Sequence, residues 1–205
     1  MSTHLAYAES EIRRLFKSNN MEATATYAIE LYGPEVLGFL VATLKSKPDA
    51  EDVFAELCED AWRGIQKFAW RCSFRTWFYT LARHATARFL RSPHRARGRC
   101  VPLSAAEEIA NHVRTTTLAH LRTEVKDDFS RLRNRLDLED QSLLILRVDR
   151  NMSWNDIAVV MSLNADLGKR DLARISARLR KRFQSIKENL RRYAIEEGIL
   201  DGASR

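Results

Sequence analysis

From Phe74 to Phe89 the residues Phe74, Phe78, Leu81, Ala82, Ala85 and Phe89 recur at i, i+4, i+7, i+8, i+11 and i+15. That spacing draws one continuous apolar face along an α-helix. Arg75, Arg83 and Arg88 fall off that face, and Ser73 stands where an N-cap belongs. Between Lys67 and Cys100 there are nine lysines and arginines and not one acid. A segment of this kind packs a core with one side and turns the other toward an anion. The loop before it, "KFAWRCS", adds Phe68, Trp70 and Arg71. Aromatic faces that stack bases, beside cations that follow phosphates, are how single-stranded nucleic acid is gripped. Trp77 and Phe78 are expected in the core, whereas Phe68, Trp70 and Arg71 are open to either reading.

The rest of the chain is helical by the same test. Only 7 glycines and 4 prolines interrupt 205 residues, 45% of them hydrophobic, which favours helices over strands and a packed core over disorder. Tyr27, Leu31, Val36, Leu37, Leu40 and Leu44 mark a helix over 21–45, with Pro34 as a local irregularity. Asp49, with Asp52 three residues on, is expected to cap a second helix whose stripe is Val53, Phe54, Leu57, Ala61 and Trp62. Pro93 and Gly98 end the Arg-rich helix and open a linker. Residues 105–125 are only weakly patterned.

Beyond it, Phe129, Leu132 and Leu136 form one amphipathic segment, and Leu143, Leu144, Leu146 and Val148 the next. Ser153 and Asp156 form a capping box for a short helix facing inward with Ile157, Val160 and Met161. Asn151 sits where a left-handed turn residue is wanted. A long helix over 171–197 follows, striped by Leu172, Ile175, Leu179, Phe183, Ile186 and Leu190. The fold class is all-α: two helical domains joined by a linker, the second with a helix-turn-helix. The expected division is an N-terminal extension 1–20, a helical domain 21–92, a linker 93–125, a helix-turn-helix domain 126–197 and a tail 198–205.

Net charge is +7 and the pI about 9.6, but the charge is segregated. Residues 169–192 hold ten basic residues against Asp171 and Glu188. A helix that enters the major groove needs polar or basic residues near its start. Lys169, Arg170, Arg174, Ser176, Ala177, Arg178, Arg180, Lys181 and Arg182 supply them. Residues 49–60 are the reverse, with six acids and no base. There Asp49, Asp52, Glu56, Glu59 and Asp60 gather near one helix side, as a solvated face or as a contact for a basic partner.

Catalysis has little support, because no nucleophile or base accompanies those carboxylates and no glycine-rich phosphate loop is present. Cys58, Cys72 and Cys100 show no metal-ligand spacing with one another or with the five histidines. No metal or cofactor is therefore expected, and unpaired cysteines fit a reduced, cytoplasmic chain. No apolar run suggests a signal peptide or membrane insertion.

In order, "DAEDVFAELCEDAW", "FRTWFYTLARHATARFLR" and "MSWNDIAVVM" followed by a basic helix resemble the extracytoplasmic-function group of bacterial sigma factors. The resemblance covers about 21–92 and 126–195. It implies a dissociable transcription-initiation subunit with core RNA polymerase and promoter DNA as partners, and commonly an anti-sigma protein. By that resemblance Asp49, Asp52 and Glu56 face the polymerase. Lys67, Phe68, Trp70, Arg71 and Ser73 take a flipped base of the −10 element. Arg75, Arg83, His84 and Arg88 follow its phosphates, and the 169–182 set reads the −35 element. A helix-turn-helix regulator that binds duplex DNA without polymerase is the alternative. The chain departs from the family pattern at Ala55 (usually Gln), His84 (usually Asn) and Asn151 (usually Gly). The stretch between Met161 and Ile175 is also longer than the family's turn. Either the recognition helix starts near Asn164 or the turn is an extended loop.

Overall fold

The computed structural model describes residues 3–91, 106, 108–114, 128–164 and 166–200, with the side chains of 3–5 and 128–130 excepted. Among the described residues all regular structure is helical. The elements are α1 (Thr3–Lys17), α2 (Met21–Leu44), α3 (Lys47–Gly64), a 3₁₀ turn (Ile65–Lys67), α4 (Phe74–Arg91), α5 (Asp128–Asn134), α6 (Leu138–Leu144), α7 (Trp154–Ser162) and α8 (Lys169–Glu196). Residues 108–114 are helical as well. The linker "SPHRARGRCVPLS", Cys100 and the last five residues lie outside the described set.

α2 is the axis of the N-terminal half. Asn20 caps it, its Oδ1 accepting from the Ala23 N–H at 3.0 Å. Pro34 sits inside it without ending it. By length and apolarity α2 could cross a membrane; in this structure α1, α3 and α4 pack around it and Ile29, Tyr32, Val36, Leu37, Phe39 and Leu40 are buried. The cap of α3 differs from the sequence expectation. Ser46 holds that position, Pro48 fits the first turn, and Asp49 is an acid of that turn whose own N–H donates to Ser46 Oγ at 3.4 Å. Ser73 behaves as expected, its Oγ accepting from the Thr76 N–H at 3.0 Å.

α1 is part of the packed structure rather than an appendage to it. Ala8 and Ile12 of α1 are buried in the shared core. Ala106 and residues 108–114 also join it: Ala106, Ala110 and Val113 are buried, and Val113 fills the space left by Gly33, where a Cβ would meet its Cγ1 at 2.9 Å.

In the C-terminal half Asp137 caps α6 through the Asp140 N–H at 2.7 Å. The helix then widens into a π turn, Ile145–Asp149, in which the Arg150 N–H reaches back to Ile145 O at 3.0 Å. That extra residue turns Val148 outward, so it is exposed rather than part of the expected apolar face. Ser153 caps α7, its Oγ accepting from the Asp156 N–H at 3.2 Å, and Asn151 has the expected left-handed backbone with φ 48°. α8 starts only at Lys169, so the stretch after α7 is an extended loop and not an earlier start of the helix. α7 lies against both α8 and α4, and one apolar core runs through both halves.

Candidate functional site

Three surfaces carry the charged residues singled out in the sequence. On α3, Asp52 is exposed, while Asp49 and Glu56 are half-buried. Glu56 and Asp60 meet Arg88 of α4: Arg88 Nε donates to Glu56 at 2.8 Å and Nη2 pairs with Asp60. Burial works against the charge of Arg88, and the two carboxylates overcome it and hold the guanidinium above its ordinary pKa. Arg88 therefore ties α4 to the acidic helix. Glu59 is taken by Arg63 at 2.9 Å on the same helix.

The second surface is α4 with its preceding loop. Phe68 is buried in an aromatic cluster, 4.8 Å from Trp70, 4.9 Å from Trp77 and 5.8 Å from Phe74 between ring centroids. Trp70 is half-buried and adopts φ 56°, a left-handed backbone that costs a non-glycine about 1–2 kcal/mol. Residues of α1 hold its ring: Phe16 edge-on at 5.5 Å and the Arg13 guanidinium over its face at 4.7 Å. Its indole N–H is buried with no acceptor among the described residues. Lys67 and Arg71 are exposed, and Arg71 pairs with Asp166.

α1 also reaches the start of α4. The Glu9 carboxylate accepts from the backbone N–H groups of Phe74 and Arg75 at 2.9 and 3.0 Å and from the Tyr32 hydroxyl at 3.0 Å. Two donors that the helix itself cannot satisfy are thus capped from outside, in the favourable field of the N-terminus. Nothing in the sequence marked Glu9, a single acid on an amphipathic helix.

The outward side chains of α4 meet the C-terminal half. Arg75 forms a fork with Glu35 at 2.7 and 2.9 Å and donates to Arg150 O at 2.9 Å. Burial lowers its pKa, but Glu35 more than offsets this and the net direction is upward. Thr76 Oγ1 donates to Asp156 Oδ1 at 2.9 Å, and Ser73 Oγ lies 2.8 Å from Thr76 Oγ1. Arg83 donates to Glu139 at 2.6 Å, and His84 Nε2 lies 3.1 Å from Leu163 O. Ser73, Thr76, Asp156 and Ser153 thus join the caps of α4 and α7 into one hydrogen-bonded chain.

The third surface is α8. Lys169, Arg170, Arg174, Ala177, Arg178, Arg180 and Lys181 are exposed, Arg174 paired with Asp171 at 2.9 Å. Two members of the expected set are turned elsewhere. Ser176 is buried, its Oγ donating to Trp154 O at 3.1 Å and to Asn155 Oδ1 at 3.2 Å, because it shares the seam of Leu172, Leu179 and Phe183. Arg182 pairs with Asp140 and Asp137 at the start of α6.

Residues 28–96, which take in most of α2, all of α3 and α4 and the loop between them, match the family model described as Sigma-70 region 2. The chain is 25% identical over 170 residues to the RNA polymerase sigma factor YlaC of Bacillus subtilis (strain 168), covering 82% of this chain and 92% of that protein. Both similarities point to the sigma factors of RNA polymerase. Among solved structures it is similar to the sigma factor RpoE in its co-crystal with the anti-sigma factor NepR from Bartonella quintana. There the TM-score is 0.48 at 18% identity, covering 78% of this chain and 94% of that one. In this chain the matched region is the half where an acidic helix and an Arg-rich helix are joined by Arg88.

Proposed function

We propose that this protein is a sigma factor of the extracytoplasmic-function group that binds core RNA polymerase through the outer face of α3, recognises −10 and −35 promoter elements and supports promoter melting and initiation. The observation that carries the reading is the match of residues 28–96 to sigma-70 region 2. The segregated charge supports it: an acidic helix in that region suits a basic surface on a protein partner, whereas a regulator that binds DNA alone has no use for one. Asp52 is the exposed acid at its centre, with Asp49 and Glu56 beside it.

The loop 67–73 with α4 is the proposed −10 surface. Lys67, Arg71 and the ring of Trp70 are the members that reach the surface there, and base extraction suits an aromatic cluster that offers stacking in place of neighbouring bases. α7 and α8 are the proposed helix-turn-helix for the −35 duplex, with Arg174, Arg178, Arg180 and Lys181 toward the groove. The proposed units are 21–92 and 126–197, joined by 93–125. An anti-sigma protein is the proposed regulator, on the family resemblance, and the cytoplasm the proposed place of action. The chain does no catalysis of its own in this role.

The deciding experiment mixes the purified protein with core polymerase and scores co-elution and run-off transcripts from a genomic promoter library. Co-elution with discrete transcripts is expected. Failure to co-elute at low salt would end the sigma reading.

A further inference from the structure

A cavity of about 380 Å³ is walled by α2, α4, α6 and Leu163, the residue that ends α7. Its size falls at the low end of the roughly 300–1,000 Å³ of small-molecule sites, which set a few placed polar groups in an apolar lining. Phe39, Ala87, Leu90, Leu138 and Leu163 supply the apolar lining, and Leu90 is 51% exposed, so the space opens to solvent there. Three hydroxyls face the same space, and two are bonded within their own helices. Thr86 Oγ1 donates to Ala82 O at 2.9 Å and Ser142 Oγ to Leu138 O at 2.7 Å, the usual back-bond of a hydroxyl inside a helix. Thr43, only 4% exposed, is the exception: its Oγ1 has no hydrogen-bond partner among the described residues.

The charged groups of the lining are Arg83, Arg91 and Glu139. Arg83 gives Nη2 to Glu139 at 2.6 Å, while its Nε is buried with no acceptor among the described residues. Arg91 donates Nε to Ala87 O at 3.1 Å and has no carboxylate partner among the described residues. Arg83 and Glu139 cancel, so the lining keeps one unmatched positive charge. Two buried donors without acceptors beside that charge call for an oxygen acceptor carrying a single negative charge. Water reaches the donors but brings no charge to Arg91 and gains nothing from the apolar wall. We propose that this cavity binds a small amphiphile with a monoanionic head and a short hydrocarbon body, in chemistry a medium-chain carboxylate. The head accepts from Arg83 Nε and Thr43 Oγ1 and offsets the charge of Arg91; the body lies against Leu90, Leu138 and Leu163. The site is apart from the outer face of α3 and from the exposed cations of α8, so it does not depend on the sigma reading.

The test titrates the full chain with octanoate by isothermal titration calorimetry, with octanol and octylamine as head-group controls. Octanol keeps the body without the charge, and octylamine, protonated at neutral pH, reverses the charge. Octanoate is expected to bind at a single site and at least about ten-fold more tightly than either control. Thr43→Val keeps the shape, removes the hydroxyl and should fold as stably as wild type, since no hydrogen bond is lost. Arg91→Gln removes the unmatched charge at an exposed position. Each is expected to weaken octanoate at least about five-fold. Ala87→Phe fills the space and should abolish binding, with circular dichroism confirming that each variant is folded.

Absence of saturable octanoate binding overturns the proposal and leaves the cavity to water. Equal affinity for octanol does the same, because it would make the space an apolar void with no anion site. Unchanged octanoate affinity in folded Thr43→Val and Arg91→Gln would put the ligand elsewhere on the molecule, and so would unchanged affinity in folded Ala87→Phe. Co-elution with core polymerase is measured without octanoate, so failure of the sigma reading and failure of this one are distinguishable.

Discussion

Glu9 accepts a hydrogen bond from the backbone N–H of Phe74 at 2.9 Å across a separation of 65 residues, so the start of α4 is completed by the first helix of the chain. The same carboxylate takes the Arg75 N–H at 3.0 Å. Replacing it by alanine leaves two amides without their acceptor. Glu9→Ala is expected to lower unfolding stability by about 1–2 kcal/mol, the range of lost N-caps, with a smaller loss for Glu9→Gln. Urea denaturation measures it; equal losses for the two variants would mean that the carboxylate contributes no charge-dependent term.

The acidic face of α3 gives a second expectation. Asp52→Arg places a like charge against a basic partner and should weaken core polymerase association by at least about ten-fold, near 1.4 kcal/mol. Helix content should stay at the wild-type level, because Asp52 is exposed. Unaltered association would make this helix an ordinary solvated face.

Salt dependence separates the cations of α8. Arg178 and Lys181 are exposed, whereas Arg182 is held by Asp140 and Asp137. Arg178→Ala with Lys181→Ala should reduce the slope of log K against log salt for upstream duplex DNA by about 2, close to 0.9 per phosphate contact. Arg182→Ala should leave the slope near its original value. A slope that follows Arg182 instead would put the duplex on the α6 side.

Gly33 tests the helical stretch at 108–114. An alanine Cβ there would meet Val113 Cγ1 at 2.9 Å and Phe54 Cζ at 3.1 Å. The clash is expected to cost about 1–3 kcal/mol, net of the gain in helix propensity, and to speed proteolysis within the segment. A stabilised Gly33→Ala protein would show that Val113 yields freely.

Cys72 sets a pH expectation. Burial, followed by the nearby Asp156 and Glu9 carboxylates, raises its thiol from 9.0 to about 11. A two-unit rise lowers the thiolate fraction at pH 8 roughly a hundredfold, so iodoacetamide should label it far more slowly than a free thiol. The folded value lies above the unfolded one. The stability linked to this group is therefore complete below pH 9.0 and lost as the pH climbs toward about 11. Fast labelling of native protein at neutral pH would contradict the burial of this thiol.

Elements with both a period and a cap were legible in the sequence. α4 follows from its apolar spacing and Ser73, and α7 from Ser153, Asp156 and the left-handed Asn151. Ser46 was less visible than Asp49, because an acid before an apolar run looks like a cap until Pro48 is placed in the first turn. Ser176 did leave a signal: it stands on the seam with Leu172, Leu179 and Phe183, and a polar residue on a seam is usually bonded to the neighbouring helix. The exposure of Val148 left none, since a π turn has no reliable sequence mark. Glu9 and the partners of Arg75, Arg83 and His84 depend on contacts across 40 to 79 residues that no local pattern carries. Charge patterning identified the donors and left their acceptors open.

α2 packs against four helices: α1, α3, α4 and α6. Its buried positions include small residues such as Ala25, Ala28 and Gly33 beside large ones such as Tyr32 and Phe39. In a saturation mutagenesis screen it should form the band of lowest tolerance, rejecting both enlargement and truncation. The outer faces of α3 and α8 can change charge with little effect on folding. Partner choice can therefore drift on those two helices while α2 holds the rest of the molecule constant.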